Sequence, residues 1–123
     1  MNIEIAIDIN EPDLIIPFYA RLLGYQTDVS DETRYGSDKT YFSLTDPAGT
    51  KPTLIFQVVP EKPTSKNRIH LDFHVVDIES NAALAIKFGA TRIDVEPISE
   101  VGATWIRLAD PEGNIFCFVQ SES

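Results

Sequence analysis

Both histidines of the chain lie in one short stretch, KNRIHLDFHV, at residues 66–75. Apolar and polar residues alternate here, which predicts a β-strand whose two faces differ. One face is apolar, and the other carries His70, Asp72 and His74. Imidazole and carboxylate groups bind transition metals and transfer protons, so this face is a candidate metal site. Asp72 with either histidine is also a candidate acid–base pair, and the alternative is an ordinary, partly solvated strand surface.

The composition indicates a single globular domain over residues 1–123 and excludes several kinds of partner. Hydrophobic residues make up 43% of the chain and charged residues 24%, which is typical of a chain with a packed core. The net charge of −9 disfavours nucleic acids and anionic membrane surfaces. We therefore expect neither nucleic acid nor a membrane as a partner.

Three further features predict a cytoplasmic location. No stretch approaches the roughly 20 apolar residues that a membrane-spanning helix needs. The first residues, MNIEIAIDI, alternate and are acidic, which is unlike a signal peptide. Cys117 is the single cysteine, so no disulfide can form within the chain.

The chain contains an internal repeat. The segment YFSLTDPAGT at 41–50 matches WIRLADPEGN at 105–114, with an offset of 64 residues. The alternating segments at 4–12 and 70–78 match as well, with an offset of 66. Two copies of one structural unit explain both matches, and small insertions explain the drift in offset.

Each copy predicts the order β-α-β-β-β, which makes the fold class α+β. Module one spans about residues 2–60, a polar connector spans 60–67, and module two spans about 68–121. In both copies an Asp-Pro-x-Gly turn joins the last two strands as a hairpin. After the helices, strands are predicted at about 25–30, 40–46, 53–59, 90–96, 103–109 and 115–120.

The predicted helices have recognisable ends. Pro12 suits the first turn of the first helix and Gly24 suits its C-terminus, although Pro17 could move the start to residues 13–16. In module two, Asp77 or Ser80 is a candidate N-cap, and the helical segment Ala82–Phe88 leads to Gly89.

One helix can cover only one face of a four-stranded sheet, so the other faces are predicted to curl around a shared cleft. Apolar residues of the first strands are expected beneath the helices: Ile3, Ile5, Ile7, Leu71 and Phe73. The alternate residues are expected to line the cleft, and they are Glu4, Ala6, Asp8, Tyr41, Ser43, Gln57, His70, Asp72, His74, Trp105, Arg107 and Cys117. This mixture suits a ligand pocket better than a core.

Each cleft residue has a functional and a structural interpretation. Arg107 could clamp a carboxylate or phosphate, or pair with Asp72 or Asp8. Trp105 and Tyr41 could stack on a planar ligand or simply fill the cleft. Cys117 lies between two phenylalanines, so we expect a buried, unreactive thiol.

The chain resembles the vicinal oxygen chelate superfamily, and most closely its glyoxalase-like domains, the glyoxalase/bleomycin resistance/dioxygenase family. The resemblance covers residues 3–120 and lies in the two copies and in PFYARLLGY, LIFQVVPEKPTSKNRIHLDF and RLADPEGNIFCFV. It implies a cup-shaped half-barrel sheet with helices outside, a small-molecule ligand and a homodimer. Modules could pair within one chain or between two.

The resemblance also implies metal positions. Matching the motifs places them at Glu4, Gln57, His70 and Cys117. Catalytic members usually carry Glu at the last position, where this chain has cysteine. The implied ion is divalent Zn, Ni, Fe or Mn, with a metal-free cleft as the alternative.

Two main functions follow from these features. One is a metal-dependent lyase, isomerase or dioxygenase-type enzyme, with Glu4, His70 and Asp72 as catalytic residues. In that enzyme Tyr41, Trp105, Arg107, His74 and Asp8 would bind the substrate. The alternative is a metal-free protein that binds an antibiotic or metabolite, with Trp105 and Tyr41 against the ligand. A metal-free enzyme that uses a histidine with Asp72 is a third hypothesis.

Overall fold

A computed structural model of the chain describes residues 1–27 and 40–121. The chain divides into two compact units, Met1–Lys62 and Pro63–Ser123, which we call module one and module two. Each contains one mixed sheet and one helix among the described residues, so the predicted α+β class and the repeat of one unit are confirmed.

Module one contains strands β1 (Glu4–Ile9), β2 (Gln26–Thr27), β3 (Tyr41–Thr45) and β4 (Thr53–Val58), and helix α1 (Pro12–Leu23). The strand order is β1-β4-β3-β2, with β1 parallel to β4 and the other pairs antiparallel. The rest of the strand predicted at 25–30 lies outside the described residues.

Helix α1 begins at Pro12 despite the second proline inside it. Proline needs no hydrogen bond in the first turn, so Pro12 is well placed there. Gly24 ends the helix in the left-handed conformation, with φ of 69°, and its N–H donates to the Ala20 carbonyl. Both predicted ends are confirmed, and Pro17 lies within the helix without moving its start.

Module two contains strands β5 (Leu71–Val75), β6 (Thr91–Arg92), β7 (Ile98–Glu100), β8 (Ala103–Ala109) and β9 (Ile115–Gln120), and helix α2 (Ile78–Lys87). The order is β5-β9-β8-β6, with β5 parallel to β9, and β7 also pairs with β8. The Asp77 carboxylate caps α2 by accepting from the Ser80 N–H at 3.1 Å. Of the two candidate caps, Asp77 is therefore confirmed, and the helix begins at Ile78.

Two predictions about module two were wrong in detail. The strand predicted at 90–96 ends at Arg92, because the chain then turns so that Asp94 bonds to Arg107. Strand β7, whose three residues follow Pro97, was not predicted.

The expectation that Ile3 lies beneath a helix was also wrong. Ile3 is 66% exposed, and its counterpart Ile69 is 87% exposed. Both residues precede the first strand of their module, so their side chains extend beyond the sheet. Ile9 is buried instead.

The two Asp-Pro-x-Gly hairpin turns are confirmed. The Gly49 N–H donates to the Asp46 carbonyl at 2.9 Å, and the Gly113 N–H donates to the Asp110 carbonyl at the same distance. The Asp110 carboxylate is buried and accepts from the Glu112 and Asn114 N–H groups.

Each sheet packs its apolar face against its helix. In module one Tyr19 of α1 contacts Phe56 of β4, with ring centroids 5.7 Å apart. In module two Phe116 and Phe118 of β9 are buried together, with ring centroids 5.6 Å apart and edge-to-face geometry. Neither described helix is long and apolar enough to cross a membrane.

Candidate functional site

The sheet of module two places its polar side chains in rows across neighbouring strands. Pairing aligns Asp72 of β5 with Cys117 of β9, and Cys117 with Arg107 of β8. We call Asp72, Cys117 and Arg107 the central row. Two residues further along each strand, a second row aligns His74, Val119 and Trp105. Side chains two apart on a strand share a face, so both rows lie on one side of the sheet.

A pocket with a volume of about 470 Å³ lies over these rows, and all its lining residues belong to module two. Trp105, Ile115, Val119 and Ala103 supply its apolar wall. The central row supplies polar groups, together with His70, His74, Lys66 and Asn67. Of the predicted site residues, the structure thus brings together His70, Asp72, His74, Trp105, Arg107 and Cys117.

His70, Asp72 and Cys117 form a cluster in this pocket. The His70 Nε2 lies 3.2 Å from the Asp72 Oδ1, and both side chains are nearly half exposed. One candidate ligand atom from each of the three residues lies within 4.8 Å of the others. The carboxylate therefore lies between an imidazole and a thiol.

Cys117 is buried, but its surroundings differ from those predicted. Phe116 and Phe118 point to the opposite face of the sheet, while Cys117 faces the pocket in the central row. Burial, together with the charge of Asp72 and the hydrogen bond to it, raises the pKa of the Cys117 thiol to about 11. The thiol is therefore protonated at neutral pH and is a poor nucleophile.

Arg107 pairs with Asp94, which corrects the predicted pairing with Asp72 or Asp8. Its Nε donates to Asp94 at 3.0 Å and its Nη2 donates at 2.8 Å. The Arg107 backbone N–H also donates to Asp94, at 2.9 Å. This guanidinium holds the pKa of the Asp94 carboxyl below its usual range.

Asn67 attaches the connector to the last strand of module two. Its Nδ2 donates to the Ile69 carbonyl at 2.8 Å and to the Ile115 carbonyl at 3.3 Å. Its Oδ1 accepts from the Ile115 N–H at 3.1 Å. The Asn67 amide therefore extends the hydrogen bonding between β5 and β9 beyond the start of β5. These bonds fix the position of the segment that carries His70.

The other predicted site residues lie in module one. Pairing aligns Asp8 with Gln57 and Gln57 with Tyr41, so these three share a row. Glu4 aligns with Thr53, four residues from Gln57 along the strand, which is about 13 Å at the rise of a β-strand. The side chains of Glu4 and Gln57 therefore lie in different rows of the sheet of module one.

Three polar residues of the site were not foreseen from the sequence. Asp94 fell inside a predicted strand, and Pro97 shortly after it was the signal that the strand would stop. Asn67 and Lys66 were assigned to a solvated connector, whereas both line the pocket.

The cluster in module two has the chemistry of a transition-metal site. Imidazole, carboxylate and thiolate are the ligand types of Zn²⁺ and related ions. The 3.2 Å between the His70 and Asp72 atoms matches the spacing of two ligands on one ion. Cys117 would have to lose its proton to join them.

Comparison with known proteins identifies the family. The sequence profile described as "Glyoxalase-like domain" matches residues 4–119, so the chain belongs to the glyoxalase-like domain family, within the vicinal oxygen chelate superfamily. No curated protein sequence matches the chain.

Solved structures share the fold. A glyoxalase/bleomycin resistance protein/dioxygenase family enzyme from Burkholderia phytofirmans has a TM-score of 0.73 at 21% identity, with 95% of each chain covered. A superfamily member from Sphaerobacter thermophilus has a TM-score of 0.70 at 16% identity, with 98% of each chain covered. A fosfomycin resistance protein from Mesorhizobium loti has a TM-score of 0.70 at 10% identity, covering 98% of this chain and 92% of its own.

Proposed function

We propose that this protein binds a small organic molecule in the module-two pocket, with Trp105 as the aromatic contact. The observation that carries the proposal is the pocket itself. Its volume of about 470 Å³ suits a small ligand, and its wall is apolar with a few convergent polar groups. Arg107 and Cys117 are each bonded to a neighbouring carboxylate, so neither supplies a reactive group.

Trp105 reports directly on this pocket because it is the only tryptophan of the chain. We expect a ligand that stacks on its ring to change its fluorescence and to raise the unfolding temperature of the protein, since binding stabilises the folded state. A screen of planar aromatic metabolites and antibiotics by both measurements tests the proposal.

The control is Trp105→Phe, which keeps an aromatic surface but loses the indole. Compounds that bind in the pocket should still raise the unfolding temperature of this variant. Their affinity should change by less than about threefold. If no compound moves either signal in the unmodified protein, or if hits perturb only module-one resonances in NMR spectra, the proposal is rejected.

A second candidate function, metal-dependent catalysis, is favoured by the proximity of His70, Asp72 and Cys117. These residues would hold a divalent ion such as Zn²⁺, which supplies Lewis acid chemistry when bound. Asp72 would attract the cation, and Cys117 would release one proton as it joins the ion.

Cobalt substitution tests this second candidate without an assay of activity. One equivalent of Co²⁺ should produce a thiolate-to-cobalt charge-transfer band that Cys117→Ser abolishes. His74→Gln is the matched control, since His74 lines the same pocket but lies outside the cluster. A protein that takes up no cobalt, or the same band in Cys117→Ser, contradicts the metal site and leaves the binding proposal intact.

A further inference from the structure

We infer that the module-two pocket selects apolar or aromatic ligands that carry a positive charge, with Asp72 as the recognising group and Asp94 as the residue that prevents Arg107 from recruiting anions. The inference rests on the proposed function, because it names the class of ligand for the same pocket.

Arg107 is already occupied by a carboxylate of its own module. Its Nε and Nη2 both donate to Asp94, at 3.0 and 2.8 Å, and its backbone N–H donates to the same carboxylate. The Asp94 side chain is only 10% exposed, so this partner is fixed in place. The forked edge of the guanidinium that would bind a carboxylate or phosphate of a ligand is therefore in use.

Asp72 has no such neutralising partner. Its contacts are the His70 imidazole at 3.2 Å and the Cys117 thiol, and neither group carries a permanent charge. Within residues 1–27 and 40–121, no Lys or Arg nitrogen forms an ion pair with it. The carboxylate is 46% exposed and lines the pocket, so it can meet a ligand.

Cys117 lies between Asp72 and Arg107 in the central row. The Asp94 carboxylate neutralises the Arg107 guanidinium by direct hydrogen bonds. The carboxylate of Asp72 therefore leaves this row with a net negative charge.

Two other groups bear on the preference. Trp105 lies one row from Asp72 and offers a ring face that attracts cations as well as apolar groups. Lys66 also lines the pocket and would favour anions, but it is exposed and its ammonium stays hydrated. The ligand class that fits all of these contacts is an aromatic amine or amidine.

Three probes with one ring system separate charge from shape: naphthylmethylamine, naphthalenemethanol and naphthoate. Amide chemical shifts in NMR titrations give each dissociation constant. We expect the amine to bind about fivefold more tightly than the alcohol, and the carboxylate to bind most weakly. Asp72→Asn should remove the advantage of the amine.

Asp94→Asn is the decisive variant, because it frees Arg107 while retaining a side-chain oxygen for its backbone N–H. We expect naphthoate to bind about fivefold more tightly than in the unmodified protein. The double variant Asp94→Asn with Arg107→Gln should abolish that gain. Arg107→Gln alone serves if Asp94→Asn does not fold, and it should keep or increase the preference for the amine.

Lys66→Gln is the matched control and should leave the order of the three probes unchanged. The inference is overturned if naphthoate binds the unmodified protein as tightly as the amine, or if Lys66→Gln rather than Asp72→Asn changes the order. Equal binding of all three probes in the pocket rejects the inference but supports the proposed function. Failure of all three to shift pocket resonances rejects both.

Discussion

The two modules carry the same strand ladder but different side chains at its centre. In module two the central row consists of Asp72, Cys117 and Arg107. Matching the ladders places Ala6, Ile55 and Ser43 at these positions in module one. A carboxylate, a thiol and a guanidinium thus replace a methyl group, an alkyl chain and a hydroxyl.

The neighbouring rows differ less. Tyr41 of module one corresponds to Trp105, and Asp8 corresponds to His74. On the opposite face the two modules are alike, since Phe56 and Phe118 are both buried at equivalent positions. The two modules thus carry similar apolar residues on the helix-covered face and different chemistry on the opposite face.

The largest effect on stability is expected on the helix-covered face, where both modules bury a phenylalanine at the same position. Phe56→Ala and Phe118→Ala should each lower the free energy of unfolding by about 3–5 kcal/mol, because each leaves a cavity in a buried core. Urea denaturation followed by circular dichroism measures both. Val119→Ala, on the open face, is the control. A loss below about 1 kcal/mol for either phenylalanine would mean that its core is not packed as described.

The aromatic residues on the faces opposite the helices, Trp105 and Tyr41, should differ in function. We expect Trp105→Ala to weaken a ligand of the module-two pocket by about tenfold, because it removes the stacking surface. Tyr41→Ala, at the equivalent position of module one, should change the affinity less than twofold. Calorimetric titration with a screened ligand measures both, and a larger effect of Tyr41→Ala would place the ligand elsewhere.

The central row should control the ionisation of its thiol. The thiolate absorbance of the protein, taken as the difference from Cys117→Ser, should have its midpoint near the pKa of about 11. Asp72→Asn removes a negative charge and should lower that pKa by about one unit. His74→Gln should leave it in place, and an unchanged midpoint in Asp72→Asn would contradict the contact.

The same thiol predicts how stability depends on pH. Its pKa is raised in the folded protein, so the contribution to stability is complete below the unfolded value of about 8.5 and is lost as the pH rises towards about 11. Thermal unfolding temperatures of the protein and of Cys117→Ser should therefore converge across this window. Divergence in the same window would contradict the prediction.

Variants of the two helix caps should show the smallest difference in the free energy of unfolding. Asp77 caps α2 through its carboxylate, whereas Glu11 at the equivalent position of α1 makes no side-chain cap bond. We expect Asp77→Ala to lower the free energy of unfolding by about 1 kcal/mol and Glu11→Ala to change it by less than half as much. Chemical denaturation of both variants provides the measurement, and equal losses would contradict the assignment of the cap.

Much of the fold was predictable because local chemistry dictates it. Alternation placed β3, β4, β8 and β9 to within one residue, and Asp-Pro-x-Gly placed both hairpin turns. Gly24 marked the end of α1 because a left-handed residue is needed there. The short strand β7 was missed, since three residues carry too little pattern to recognise.

The candidate site was predictable only in part. Alternation assigned His70, Asp72 and His74 to one face, and the repeat assigned Trp105 and Arg107 to the matching strand. The pairing of Arg107 with Asp94 was not foreseen, because it depends on where the chain leaves β6.

The sequence by itself determined the repeat, the order of elements and the face on which each strand residue lies, because these follow from spacing and turn chemistry within short segments. The tertiary structure decided which side chains meet across strands, since the pairing register brings together residues far apart in the chain, such as Asp72 and Cys117, which are 45 positions apart. It also raised the pKa of the Cys117 thiol, because burial and the neighbouring Asp72 both disfavour the thiolate.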